Sequence, residues 1–157
     1  NPISHIDPIG FLMLFVFRFG WAKPVPINPY NFSDPRKGSA YVGLAGPVSN
    51  LFVAWLIATF IKFAPLGGLD FSHIMFISSI LSYAIWINIA LAVFNLIPIP
   101  PLDGSHILEA VLPYEQAQAM HDLRNYGFLI LVMLIYLPPT QYALTFMIDM
   151  IYGFLLR

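Results

Sequence analysis

The sequence predicts an α-helical polytopic membrane protein with about three to four transmembrane helices, and three observations carry that prediction. Hydrophobic residues make up 59% of the 157 residues and charged residues 10%, against roughly 25% charged in ordinary soluble domains. Two apolar runs, 39–63 and 73–97, reach the roughly twenty residues that a spanning helix needs. A third run, 126–156, is interrupted by Pro138-Pro139 and reads as one broken span or two half-helices. The whole of 1–157 is expected to form a single membrane domain, with an interfacial or re-entrant region at 1–38 and a polar connection at 103–124.

Charge narrows the function class. A net charge of −1 offers no basic patch for nucleic acid. The expected partner on composition is the lipid bilayer. The absence of cysteine excludes disulfides and thiolate metal sites. The opening residues show no charged region before a short apolar core, so a signal peptide is not expected. They read instead as the middle of a longer chain.

Taken in order, Ile9 to Phe19 is apolar and rich in Phe but spans only eleven residues, too few to cross a bilayer. A short interfacial helix or a re-entrant segment fits it. From Trp21 to Phe32, proline alternates with Val, Ile and Asn, which forbids a helix interior and suits extended backbone. The turn Ser33 to Gly38 is polar and basic. The first full span, 39–63, carries Gly43, Ala45, Gly46 and Ser49 as a small-residue face, which in membranes lets another backbone approach closely. Pro47 is expected to kink it, and Asn50 reads as a packing residue on that side. The second span, 73–97, places Asn88 and Asn95 seven residues apart, near one helical face. An amide in lipid needs a partner, so this face should point into the bundle. Ser105 to Arg124 reads as a helix and a loop outside the lipid.

Positive charge is lopsided: Arg18, Lys23, Arg36 and Lys37 precede the first span, and only Lys62 marks its far end. The positive-inside bias therefore places 18–38 in the cytoplasm, sends 39–63 outward and returns 73–97, leaving residue 103 near the cytoplasmic side. The expected location is the cell membrane, multi-pass, with the site toward the cytoplasm.

The chain turns on residues 94–106, FNLIPIPPLDGSH. Three prolines break the helix, and each disfavours helix at the residue before it, so Ile97 to Leu102 should be extended or kinked. Irregular backbone at membrane depth survives only where protein or a wet cavity satisfies its polar groups. A carboxylate there needs a partner, which makes Asp103 the first functional candidate. Asn95, eight residues earlier across the break, is close enough in sequence to line the same cavity.

Four blocks, HIDPIG (5–10), FGWAKPVPIN (19–28), GLAGPVSN (43–50) and FNLIPIPPLDGSHIL (94–108), together resemble the site-2 protease family of intramembrane zinc metalloproteases. The last is the most specific, and the resemblance covers about residues 1–110. It implies cleavage of the transmembrane segments of membrane proteins, with Zn2+ as cofactor. It implies that Asp103 is a zinc ligand and that Asn95 contacts the substrate. It also implies a short re-entrant β-hairpin over 10–32 that holds the substrate extended, by strand addition near 21–28.

One departure is large. In the family an HExxH motif supplies two zinc-binding histidines and the general-base glutamate, and no HExxH occurs in these 157 residues. His5, His73, His106 and His121 are isolated, and none has a His partner one turn away. A catalytic zinc needs three protein ligands, and the chain offers one. His106, three residues after Asp103, reads as structural or as a support for that ligand, with direct metal contact the rarer alternative. The abrupt start favours an incomplete chain whose HExxH helix, and the catalytic glutamate, lie upstream. A catalytically inactive homologue that binds transmembrane helices stays open. So does an ion or solute transporter, because half-helix ends coordinate ions at mid-membrane.

Overall fold

The computed structural model describes residues 6–17, 31–64 and 70–157. The chain divides into two compact units, Asn1–Asn31 and Phe32–Arg157.

In the first unit, α1 (Pro8–Phe17) is a ten-residue helix. Asp7 starts it: its Oδ1 accepts from the backbone N–H of Ile9 at 2.9 Å and of Gly10 at 3.0 Å, and Pro8 is preset for the first helical position. Phe11 and Phe15, one turn apart, meet edge to face with ring centroids 5.1 Å apart. Ten residues reach about 15 Å, half a bilayer core. The short helix expected from composition is therefore present, and the β-hairpin expected over 10–32 is not supported. Residues 10–17 are helical, and no strand occurs among the described residues. An apolar run without internal proline, capped at its start, satisfies its backbone groups locally and has no need of a strand partner. The strand region expected near 21–28 lies outside the described residues.

The second unit is built on two long helices. In α2 (Pro35–Phe63), Asp34 caps the start, its Oδ1 accepting from the backbone N–H of Arg36 and Lys37. The helix runs on through Pro47, which is buried. After a short connection comes α3 (Phe71–Asn95). At about 1.5 Å per residue both exceed the roughly 30 Å of a bilayer core. Only 17% and 11% of their most apolar stretches are buried. Large side chains such as Trp55, Phe60, Phe76 and Tyr83 stay exposed, which suits a lipid solvent and not water.

Small residues decide how these helices meet. Ala54 and Ala58 of α2 let α3 come close, and Ile85, Ile89 and Val93 fill the seam, joined by Ile148. That residue belongs to α7 (Pro138–Leu155). Between α3 and α7 lie α4 (Asp103–Val111), α5 (Tyr114–Asp122) and α6 (Arg124–Ile135). The polar connection is thus two helices where the sequence suggested a helix and a loop: Leu112-Pro113 separates them, because the residue before a proline avoids helix.

Helices α6 and α7 are bent by 81° at their junction. Pro138 opens α7 with Leu137 extended before it. The Gln141 side-chain amide donates to the Ile135 carbonyl at 3.0 Å, which satisfies a backbone group freed at the break. Among the described residues, two helices are long and apolar enough to cross a membrane, or three if the bent pair forms one span.

Candidate metal centre

After Asn95 the chain makes a series of tight turns. Ile97 N–H donates to Phe94 O, Ile99 N–H to Ile97 O and Leu102 N–H to Ile99 O, so the proline-rich stretch satisfies its own backbone where no helix can continue. Asp103 then opens α4 as its first residue. The turns close so tightly that a β-carbon on Gly104 would sit 2.3 Å from Leu96 O and 2.6 Å from Ile97 O. Only glycine fits there. Gly127 of α6 plays the same part from the other side, where a β-carbon would meet Pro100 O at 2.2 Å.

The glycine face of α2 receives Asp103. A β-carbon on Gly43 would stand 2.8 Å from the Asp103 carbonyl oxygen and 3.3 Å from His106 Cβ. One on Gly46 would stand 3.0 Å from Asp103 Oδ2. The backbone approach expected from GLAG is therefore an approach of α4, at its first turn. The start of α2 and the end of α3 consequently lie at the same end of the unit.

Asp103 is half-buried, and burial pushes its carboxyl above its ordinary value, with His106 pulling it back in part. No described residue donates a hydrogen bond to this carboxylate. A desolvated carboxylate without a protein donor is suited to a cation. Asn95, at the last position of α3, is half-buried too. Asn88 donates to Ala84 O of its own helix at 2.8 Å, so it satisfies itself locally instead of reaching across the bundle.

His106 Nδ1 lies 3.9 Å from Glu109 Oε2, and Arg124 Nη2 contacts both Glu109 oxygens, at 3.1 and 3.0 Å. Arg36 donates to the carbonyls of Glu109 and Leu112. These links join α2, α4 and α6, and sequence reading missed them: fifteen and more than seventy residues separate the partners, and no helical period predicts such pairs. Beside them Pro100, Pro101, Ser105, His106 and Arg124 line a cavity of about 180 Å³. A larger groove of about 310 Å³ between α3 and α7 is lined by apolar side chains such as Trp86, Leu91 and Leu144, and it holds no group that could act chemically.

The remaining histidines do not join the site. His73 and His121 are exposed, His73 sitting 3.7 Å from Asp70 on its own helix turn, and His5 lies outside the described residues. Among the described residues no three His, Cys, Asp or Glu come together to hold a metal. Asp103 fits as one ligand of a zinc ion, and the described residues alone do not complete the set of three.

Residues 70–137 match peptidase family M50. The chain is 36% identical over 146 residues to "Putative zinc metalloprotease YwhC" of Bacillus subtilis (strain 168), covering 92% of this chain and 67% of that protein. It is 33% identical over 144 residues to "Putative zinc metalloprotease Rip2" of Mycolicibacterium smegmatis, covering 88% of this chain and 53% of that one. A third relative, "Putative zinc metalloprotease MJ0611" of Methanocaldococcus jannaschii, is 28% identical over 101 residues, 64% of this chain and 49% of its own length. The chain thus spans about half to two thirds of the relatives it matches. No solved structure matches it.

Proposed function

Because the chain belongs to peptidase family M50, the site-2 protease family, we propose that it is the core of an intramembrane zinc metalloprotease that cleaves transmembrane segments of other membrane proteins. The observation that carries the proposal is Asp103. It is a half-buried carboxylate with no donor among the described residues, fixed at a helix start between a proline turn and two glycines of α2.

In this reading Asp103 is one zinc ligand. When bound, zinc polarises a carbonyl and supplies a water of lowered pKa. The chain's own residues do the rest of what can be assigned here. The Gly43 and Gly46 face holds the Asp103 backbone and carboxylate in place. Gly104 closes the turn that aims them. The Asn95 amide, at the end of α3, donates to and accepts from the backbone of a substrate segment that has lost its own helical bonds at that point. The remaining ligands and the general base come from outside these 157 residues, which contain no HExxH. The site lies at the cytoplasmic end of the spans in a multi-pass cell-membrane protein, on the charge bias of 18–38.

The missing motif favours a second reading, a relative that binds transmembrane helices without cutting them. One experiment separates the two. The full-length protein, reconstituted with a transmembrane substrate, is assayed for zinc content and for cleavage. Bound zinc with cleavage supports the protease. Substrate capture with neither zinc nor cleavage supports the binder.

A further inference from the structure

Helix α7 carries one charged residue in eighteen, Asp149, and its place in the fold is an unusual one for a carboxylate. Its neighbour Ile148 is buried in the cluster with Ala54, Ala58, Ile85 and Ile89. Helix α3 runs from 71 to 95, so Ile85 and Ile89 lie about 3 and 9 Å past its midpoint, within the roughly 15 Å half-thickness of a bilayer core. Asp149 therefore stands at mid-membrane depth. One residue on from Ile148, it turns away from the bundle and is exposed, and no described residue pairs with it. An ionisable side chain at that depth ordinarily faces a bundle interior and has a partner there. The residues one turn to either side, Thr145 and Gly153, are small and exposed as well. A β-carbon on Gly153 would meet nothing within 4 Å. Alongside runs a ridge of large exposed side chains, Phe146, Met150 and Phe154. A groove of small and polar residues beside an apolar ridge is a surface on which a second helix packs closely in lipid.

We propose that this outer face of α7 docks a single transmembrane helix of another membrane protein, one that carries a lysine or arginine at mid-bilayer depth to pair with Asp149. Charge decides the occupant. A second copy docking through the same face would set one Asp149 against the other, and like charges brought together oppose association. The described cations of the chain are placed elsewhere: Arg36 and Arg124 are held at α4, Lys37 by Asp34, and Lys62 lies in the last turn of α2. Arg157 follows the end of α7, eight residues beyond Asp149. A basic side chain on a partner helix gives the carboxylate the pairing that lipid cannot, and Gly153 lets the partner backbone come close one turn further on. The proposal does not depend on Asp103 being a zinc ligand.

The test uses the full-length protein in phosphatidylcholine vesicles, with binding read by energy transfer to synthetic leucine–alanine helices of about 20 residues. The probes differ only at the central position, which is Lys, Leu or Glu. The parent should bind the Lys helix about 10-fold more tightly than the Leu helix, the scale of a polar contact between helices in lipid. Asp149→Leu should remove that preference, and Asp149→Lys should transfer it to the Glu helix. Gly153→Leu should weaken binding of the Lys helix at an unchanged melting temperature, since the added side chain meets nothing in the chain's own fold. Asp103→Asn should bind the Lys helix as the parent does, so the zinc assignment can fail without touching this result. Equal affinity of the parent for the Lys and Leu helices overturns the proposal, and that comparison needs no variant to fold. So does a preference that survives Asp149→Leu. Self-association of the parent that Asp149→Leu abolishes would assign the face to a second copy and overturn it as well. A lowered melting temperature in Asp149→Leu with no change in probe binding would place the partner of Asp149 within the same chain, with the same consequence.

Discussion

Gly46 and Asp103 stand so close that a β-carbon on the glycine would lie 3.0 Å from the carboxylate oxygen Oδ2. The approach couples the small-residue face of α2 to the side chain on which the proposed chemistry depends. Its neighbour Gly43 makes a harder contact, 2.8 Å from the Asp103 carbonyl oxygen, and a backbone atom cannot rotate away.

The two glycines should therefore fail differently. Gly46→Ala should displace the carboxylate by a few tenths of an ångström, lowering zinc retention and cleavage with little loss of stability. Gly43→Ala should destabilise the folded protein by about 1–3 kcal/mol, the range for overpacking. Thermal unfolding read beside zinc content separates the outcomes, and equal stability losses in both variants would contradict the distinction.

Gly104→Ala should be more severe than either, because its β-carbon would meet two carbonyl oxygens, of Leu96 and Ile97. The proline turn would have to open to admit it. Little folded protein should be recovered from membranes, and what is recovered should not cleave. A well-folded, active Gly104→Ala would show that the turn yields.

How much of this was legible in the sequence follows from the range of each interaction. The long helices were, since an apolar run of twenty or more residues has one stable form in lipid. So were the break after Asn95 and the separation of α6 from α7, since prolines act on their own backbone. The glycine face announced a close approach but not its partner, because α4 is reached only through the tertiary fold. Asp103 stood out as a carboxylate beside a broken span. The Arg124–Glu109 and Arg36 links could not be foreseen, because nothing local joins their partners. The β-hairpin was carried by resemblance, and local helix formation from Asp7 to Phe17 overrode part of it.

Asn95→Ala should raise KM and lower turnover for a transmembrane substrate while leaving zinc content at the parent level, since Asn95 is assigned to the substrate and not the metal. Loss of zinc from Asn95→Ala would move that residue into the metal site. Steady-state kinetics with metal analysis on the same sample decides it.

Asp34 offers a pH-dependent check on α2. The Lys37 backbone N–H, the largest favourable contact, holds its carboxyl below its ordinary value. A depressed carboxyl stabilises the fold fully above the unfolded value, about 3.9, and the contribution disappears as pH falls through the lower folded value. The melting-temperature gap between parent and Asp34→Ala should thus be constant above about pH 5 and shrink below the ordinary value. A gap that persists unchanged into strong acid would mean that the ionised cap does not stabilise α2.

The most direct measurement is the zinc content of Asp103→Asn in the full-length protein, taken with its cleavage of a transmembrane substrate. The substitution keeps the size of the side chain and removes its charge. Loss of bound zinc together with loss of cleavage, in a protein that melts like the parent, is the predicted result. Full zinc content with undiminished cleavage would contradict the assignment of Asp103 as a ligand.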